Sequence, residues 1–87
     1  MAKSIHRPES AVLRRRLREI RVAAGLTQAE VSSQLGRDQT YMSNIERGVR
    51  RLDVIELRDI CRLAGKDFLE FLAELERELA ARTRRRI

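Results

Sequence analysis

The chain has 87 residues, a formal net charge of +6 and 3% aromatic residues, which leaves room for one small domain burying only about 60% of its unfolded surface. Tyr41, Phe68 and Phe71 are too few for the stacking platforms of single-strand nucleic-acid binders. The single cysteine and single histidine (Cys61 and His6) exclude a disulfide framework and a Cys/His metal cage, and no apolar run approaches the roughly 20 residues of a membrane span.

Helix 1 is predicted from about Glu9 or Ser10 to Ala24, with Leu13, Leu17, Ile20 and Ala24 as an apolar stripe and Arg14, Arg18 and Arg21 on another face. Helix 2 opens on Thr27 as N-cap with Glu30 three residues later, a capping box, flanked by Leu26 and Val31 as a hydrophobic staple. It is predicted to end at Leu35 before Gly36. Helix 3 is predicted from Asp38 as N-cap through Gln39 to Arg47, with Met42 and Ile45 inward and Gly48 as its stop. Asp53 with Glu56 opens helix 4, which carries Leu57, Ile60, Cys61 and Ala64 to Gly65. Asp67 with Glu70 opens helix 5, whose stripe is Phe68, Leu72, Leu75 and Leu79 with Phe71 alongside. Strand signals are almost absent, so the fold class is all-α. The domain is bounded at 10–81, between an N-terminal arm, 1–9, expected to be flexible and a basic tail, 82–87, expected to be disordered. The leading residues lack the apolar core of a signal peptide, and the chain reads as cytoplasmic.

Charge is segregated along the chain. Residues 1–51 carry 11 Lys/Arg against 5 Asp/Glu, residues 52–81 carry 4 against 8, and the last six residues add four arginines. Arginine supplies 17 of the 19 basic residues, and it is the better bidentate partner for phosphate and guanine. A basic half beside an acidic half suggests one side facing a polyanion. An arginine-rich genome explains the same bias without function.

The segment from Gln28 to Arg47 concentrates the chemistry. Two helices meet at Gly36, whose freedom at positive φ suits a sharp reversal. Small Ser32 lies where they cross. The outward positions of helix 3 are Gln39, Thr40, Ser43, Asn44 and Arg47, a polar face without an acid, while Glu46 turns inward. Gln and Asn can bond adenine bidentately and Arg can bond guanine. An ordinary solvated helix face is the competing reading.

These residues, with Leu17 to Arg21, Ala24 to Val31, Leu35-Gly36 and Met42 to Gly48, resemble the helix-turn-helix of the lambda-repressor/Cro (Xre) family of DNA-binding regulators. The resemblance covers roughly residues 10–72. It departs from the family pattern at Ser32, where alanine is usual, and at Leu52, where many members have proline. It implies a five-helix lambda-repressor-like domain, with helices 2 and 3 as the helix-turn-helix, and an extended fifth helix. It further implies base contacts by Gln39, Thr40 and Asn44 and DNA-backbone contacts by Gln28, Ser43 and Arg47. Arg50 and Arg51, just after helix 3, are expected near phosphates. Arg21 and Glu46 match the family's paired charges linking helix 1 to helix 3, a structural role.

The stripe of helix 5 runs past the point where five short helices close a core. Homodimerisation through Phe71, Leu72, Leu75 and Leu79 is the expected use, and a longer capping helix in a monomer is the plain one. Glu74, Glu76 and Glu78 read as a solvated face, Cys61 as a small buried apolar residue and His6 as a tail residue. Arg15 can pair with Glu19 one turn on. The expectation is a transcriptional regulator, in the sense of a repressor, that inserts helix 3 into the major groove of double-stranded DNA as a homodimer on a pseudopalindromic operator. The alternative is an antitoxin-type protein using helix 5 to bind a protein partner. No triad, phosphate loop or metal cluster supports an enzyme, and no cofactor, membrane or small-molecule ligand is implied.

Overall fold

The computed structural model describes residues 7–86, with side chains through Thr83, as five helices: α1 (Pro8–Ala23), α2 (Gln28–Gln34), α3 (Tyr41–Arg47), α4 (Val54–Leu63) and α5 (Phe68–Arg86). No strand occurs among the described residues. Residues 1–6, with His6 and most of the expected arm, and the tail residue Ile87 lie outside them, as do the side chains of Arg84, Arg85 and Arg86.

Local chemistry accounts for most of the boundaries. Pro8 stands at the start of α1, where its missing N–H has no partner to lose, so the helix begins slightly earlier than Glu9. Thr27 and Glu30 cap α2 reciprocally, and Asp53 and Glu56 do the same for α4. At α5 only half of this arrangement forms. The Glu70 N–H donates to Asp67 Oδ2 at 2.8 Å, but the Glu70 carboxylate turns to Lys66 at 3.2 Å. The arginine run expected to leave the helix after Ala81 continues it through Arg86, since Leu, Ala, Glu and Arg are all strong helix formers and no glycine or proline intervenes.

α3 begins later than predicted. Asp38 does not cap it: its carboxylate accepts the Thr40 hydroxyl at 3.1 Å and its carbonyl accepts the Tyr41 N–H at 2.9 Å, leaving Gln39 and Thr40 in a turn. The cap comes from across the motif. Buried Ser32, on α2, accepts the Met42 N–H on its Oγ at 3.0 Å, satisfying a buried donor whose loss costs about 1–3 kcal/mol. A helix without a capping residue of its own therefore starts where its neighbour supplies one.

The core gathers Leu17 from α1, Val31 from α2, Tyr41, Met42 and Ile45 from α3, Leu57, Ile60 and Cys61 from α4, and Phe71 from α5. Ala24 is exposed, whereas Val12, outside the predicted stripe, is buried. Burial pushes the Cys61 thiol up to about 11, so at neutral pH it packs as an uncharged small apolar group.

Helix 5 is used differently from the sequence reading. Phe71 is only 1% exposed inside its own protomer, and Leu72 and Leu75 pack against the same core. With this packing Phe71 offers no surface to a second copy, contrary to its expected place in a dimer interface. Nor are Glu74 and Glu78 a solvated face. Glu78 pairs with Arg15 and with Arg16 (2.8 Å), and Glu74 pairs with Lys66 at 3.0 Å and lies 3.8 Å from Arg16. Two acids of the acidic half thus neutralise Arg15 and Arg16 of α1. Only Glu76 of the three is fully exposed.

Candidate nucleic-acid interface

The α2–turn–α3 unit is fixed by backbone bonds before any side chain acts. Gly36 adopts φ +68, and the Arg37 N–H donates to the Ser32 carbonyl at 2.8 Å, closing the end of α2. After α3 the chain turns at Gly48, φ +79, where an added Cβ would meet the Arg14 guanidinium at 3.0 Å. The N–H groups of Val49 and Arg50 both donate to the Asn44 carbonyl, at 2.9 and 3.1 Å. The loop that follows α3 is thereby tied to the residue in its middle.

Of the residues expected at bases, Gln39 and Thr40 are exposed on the turn leading into α3, and Asn44 is half-buried on the helix itself. Thr40 and Asn44 already have partners. The Thr40 hydroxyl donates to Asp38, and Asn44 Oδ1 accepts from Arg47 at 2.5 Å. Both Nδ2 hydrogens of Asn44 stay available to an acceptor. Ser43 donates to the Thr40 carbonyl at 3.0 Å, while Arg47 and Arg51 are exposed.

Glu46 is the hinge of the interior side. Its carboxylate accepts from Arg21 Nε at 2.6 Å and from the same guanidinium's second nitrogen at 3.1 Å. Gln28 Nε2 also donates to it, at 2.8 Å. Arg21 completes the set by donating to the Leu26 carbonyl at 2.8 Å. The side chains of Arg21 and Glu46 are 10% and 6% exposed, so α1, the start of α2 and α3 share one buried polar network. Gln28 therefore presents one amide hydrogen to Glu46 and keeps the other.

Four residues that the sequence did not bring together form a second network at the other edge of α3. The guanidinium carbons of Arg37 and Arg50 stand over the Tyr41 ring, 4.4 and 4.7 Å from its centroid. Glu56 binds Arg50 through both oxygens, at 3.2 and 2.9 Å, and Arg37 at 3.3 Å. Arg50 additionally donates to the Arg51 carbonyl at 2.8 Å. Arg50, expected at a phosphate, is thus largely committed within the protein. Burial pushes the Tyr41 phenol up, keeping the ring neutral beneath the cations. No local motif announces this cluster: Arg37 and Tyr41 are separated by a turn, and Glu56 serves in sequence terms only as the partner of Asp53.

The Arg50 contact holds the Glu56 carboxyl below the usual carboxylate range, reinforced by the Asp53 N–H. A depressed folded-state value means stability that is present above the unfolded-chain value of about 4.3 and lost as pH falls through the folded one. The melting temperature is expected to fall on acidification through that window, and less so in Glu56→Gln. An identical acid profile for the two proteins would show that Glu56 contributes nothing to it.

A turn-linked helix pair, carrying a polar exposed edge and braced by buried charge networks, defines a helix-turn-helix domain. The family profile for the helix-turn-helix domain matches residues 12–79. An XRE-family like protein from Pseudomonas syringae pv. tomato is similar in structure, with a TM-score of 0.79 and 44% identity over 86% of this chain and 92% of that one. A curated relative, an uncharacterised HTH-type transcriptional regulator of Sinorhizobium fredii (y4dJ), is 38% identical over 53 residues, which is 61% of this chain and 69% of the relative. This chain belongs to the Xre family of helix-turn-helix regulators. Among the described residues, no helix is long and apolar enough to cross a membrane.

Proposed function

We propose that the protein is a sequence-specific transcriptional regulator that docks α3 in the major groove of its operator and represses by occupying the promoter. The observation that carries this reading is the acid-free row of exposed Gln39, Thr40 and Arg47 with half-buried Ser43 and Asn44, backed by a buried network that links α3 to α1 and α2. Gln39 and Asn44 read base edges, where a bidentate amide distinguishes adenine. Thr40 adds a hydroxyl acceptor. Ser43, Arg47 and Arg51 lie toward the backbone, and the remaining amide hydrogen of Gln28 takes a phosphate oxygen.

The assembly we propose is a homodimer, because two-fold symmetry presents two recognition helices about one DNA turn apart. Phe71 is removed from that interface by its burial, and Leu72 and Leu75 are occupied within the protomer. Among the described residues, the large apolar side chains that stay exposed are Val22, Val49, Val54, Ile55 and Leu69, and a second copy would draw its apolar contacts from among these and half-buried Leu79.

The test is a titration onto the protein's own upstream DNA and a shuffled control at about 0.15 M salt, where nonspecific binding is weak. A preference of about a thousandfold with two protected half-sites supports a dimeric regulator. Equal weak binding to both duplexes counts against it. Gln39→Ala or Asn44→Ala is expected to cost about 1–3 kcal/mol on the operator and relax preference at one base pair. Equal losses on operator and shuffled DNA would remove base reading from either residue.

A further inference from the structure

The two arginines that stand over Tyr41 are not equivalent. Arg50 is used up by its surroundings: two of its nitrogens bond both oxygens of Glu56, and one of those also donates to the Arg51 carbonyl. Arg37 meets Glu56 through a single nitrogen at 3.3 Å, and its side chain is 40% exposed against 34% for Arg50. A guanidinium has five N–H donors, so most of Arg37's remain for a ligand. Its planar head is nevertheless held in place, by the π-face of a ring that is itself only 4% exposed and by a carboxylate that is 14% exposed. It stands beside the first residue of α3, next to the turn that carries Gln39 and Thr40. A cation with free donors, held in advance at the edge of a groove-reading helix, suits one chemical group above others: the phosphodiester of a nucleic-acid backbone.

We propose that Arg37 is a phosphate-binding residue on this flank of α3, positioned by Tyr41 and Glu56, and that Arg50 is a strut holding the loop after α3 to α4. This rests on the reading of α3 as a DNA-docking helix. Glu56 then has two jobs: it orients both cations and it cancels one of their two charges. The cluster therefore offers a phosphate one directed guanidinium in place of two loose ones.

A phosphate contact is independent of base sequence, so a random-sequence duplex serves as probe. Anisotropy titrations across a salt series would compare the wild-type chain with Arg37→Ala and Arg50→Met, the latter chosen to retain an apolar stem over Tyr41. Arg37→Ala is expected to bind about tenfold more weakly, to lower the slope of log affinity against log salt by about 0.9, and to lose less melting temperature than Arg50→Met. Arg50→Met is expected to keep the slope and lose melting temperature. An unchanged slope in Arg37→Ala, with the wild type binding normally, would overturn the Arg37 role while leaving DNA docking intact. The reverse pattern, with slope lost in Arg50→Met alone, would overturn it too. A wild-type chain that binds no duplex even at low salt would overturn both this proposal and the docking it rests on.

Discussion

Replacing Glu46 by alanine is expected to destabilise the domain by about 3–5 kcal/mol, the usual result of breaking a buried ion pair by removing one partner. Glu46 accepts from Arg21 twice and from Gln28 once, in a site where Arg21 is only 9% exposed. Without the carboxylate, the guanidinium keeps the Leu26 carbonyl and little else. Small domains have roughly 5–15 kcal/mol of total stability, so the variant should lose a large share of it and unfold at much lower denaturant. Urea titration followed by far-ultraviolet circular dichroism measures this as a lower midpoint at unchanged slope. A loss under about 1 kcal/mol would mean that the pair behaves like an exposed one. The double variant Arg21→Met/Glu46→Leu separates stability from geometry. Apolar replacement of a buried pair is often neutral or stabilising, so folding should largely return. If the pair sets the angle of α3, DNA preference should not return with it.

Phe71→Ala is expected to cost about 3–5 kcal/mol, the range for emptying a fully buried aromatic site. Phe71 sits in the cluster with Leu17, Ile60 and Cys61, so the cavity would open where α1, α4 and α5 meet. Since Phe71 is buried in its own protomer, the loss in melting temperature should be the same at every protein concentration. Were the loss to shrink or grow with concentration, Phe71 would have to act across an interface between copies. Leu79→Ala, at a half-buried position near the far end of α5, should cost distinctly less.

The helix starts of α2 and α4 were legible because a capping box is written within four residues: Thr27 with Glu30 and Asp53 with Glu56 bond each other across one turn wherever the chain goes next. The turn glycine between α2 and α3 was equally local. Glu70 shows where that logic stops, since an equally near competitor, Lys66, draws its carboxylate away from the cap. Asp38 shows it again, because α3 starts beyond it, where Ser32 of the neighbouring helix accepts the Met42 N–H. The pairing of Arg21 with Glu46 was visible through the family resemblance and not through spacing.

Composition, capping chemistry and apolar spacing by themselves determined an all-α chain and the polar residues of α3 and the turn before it. Tertiary structure alone decided which charges meet. Arg15 and Arg16 find Glu78 more than 60 residues away, Arg37 and Arg50 converge on Tyr41 and Glu56, and Phe71 turns into the core while Leu69 turns out. Hydrogen bonds within a turn depend only on backbone dihedrals that neighbouring residues set. Long side chains such as arginine and glutamate choose partners by which helix faces dock, and burial of the apolar stripes makes that choice for them.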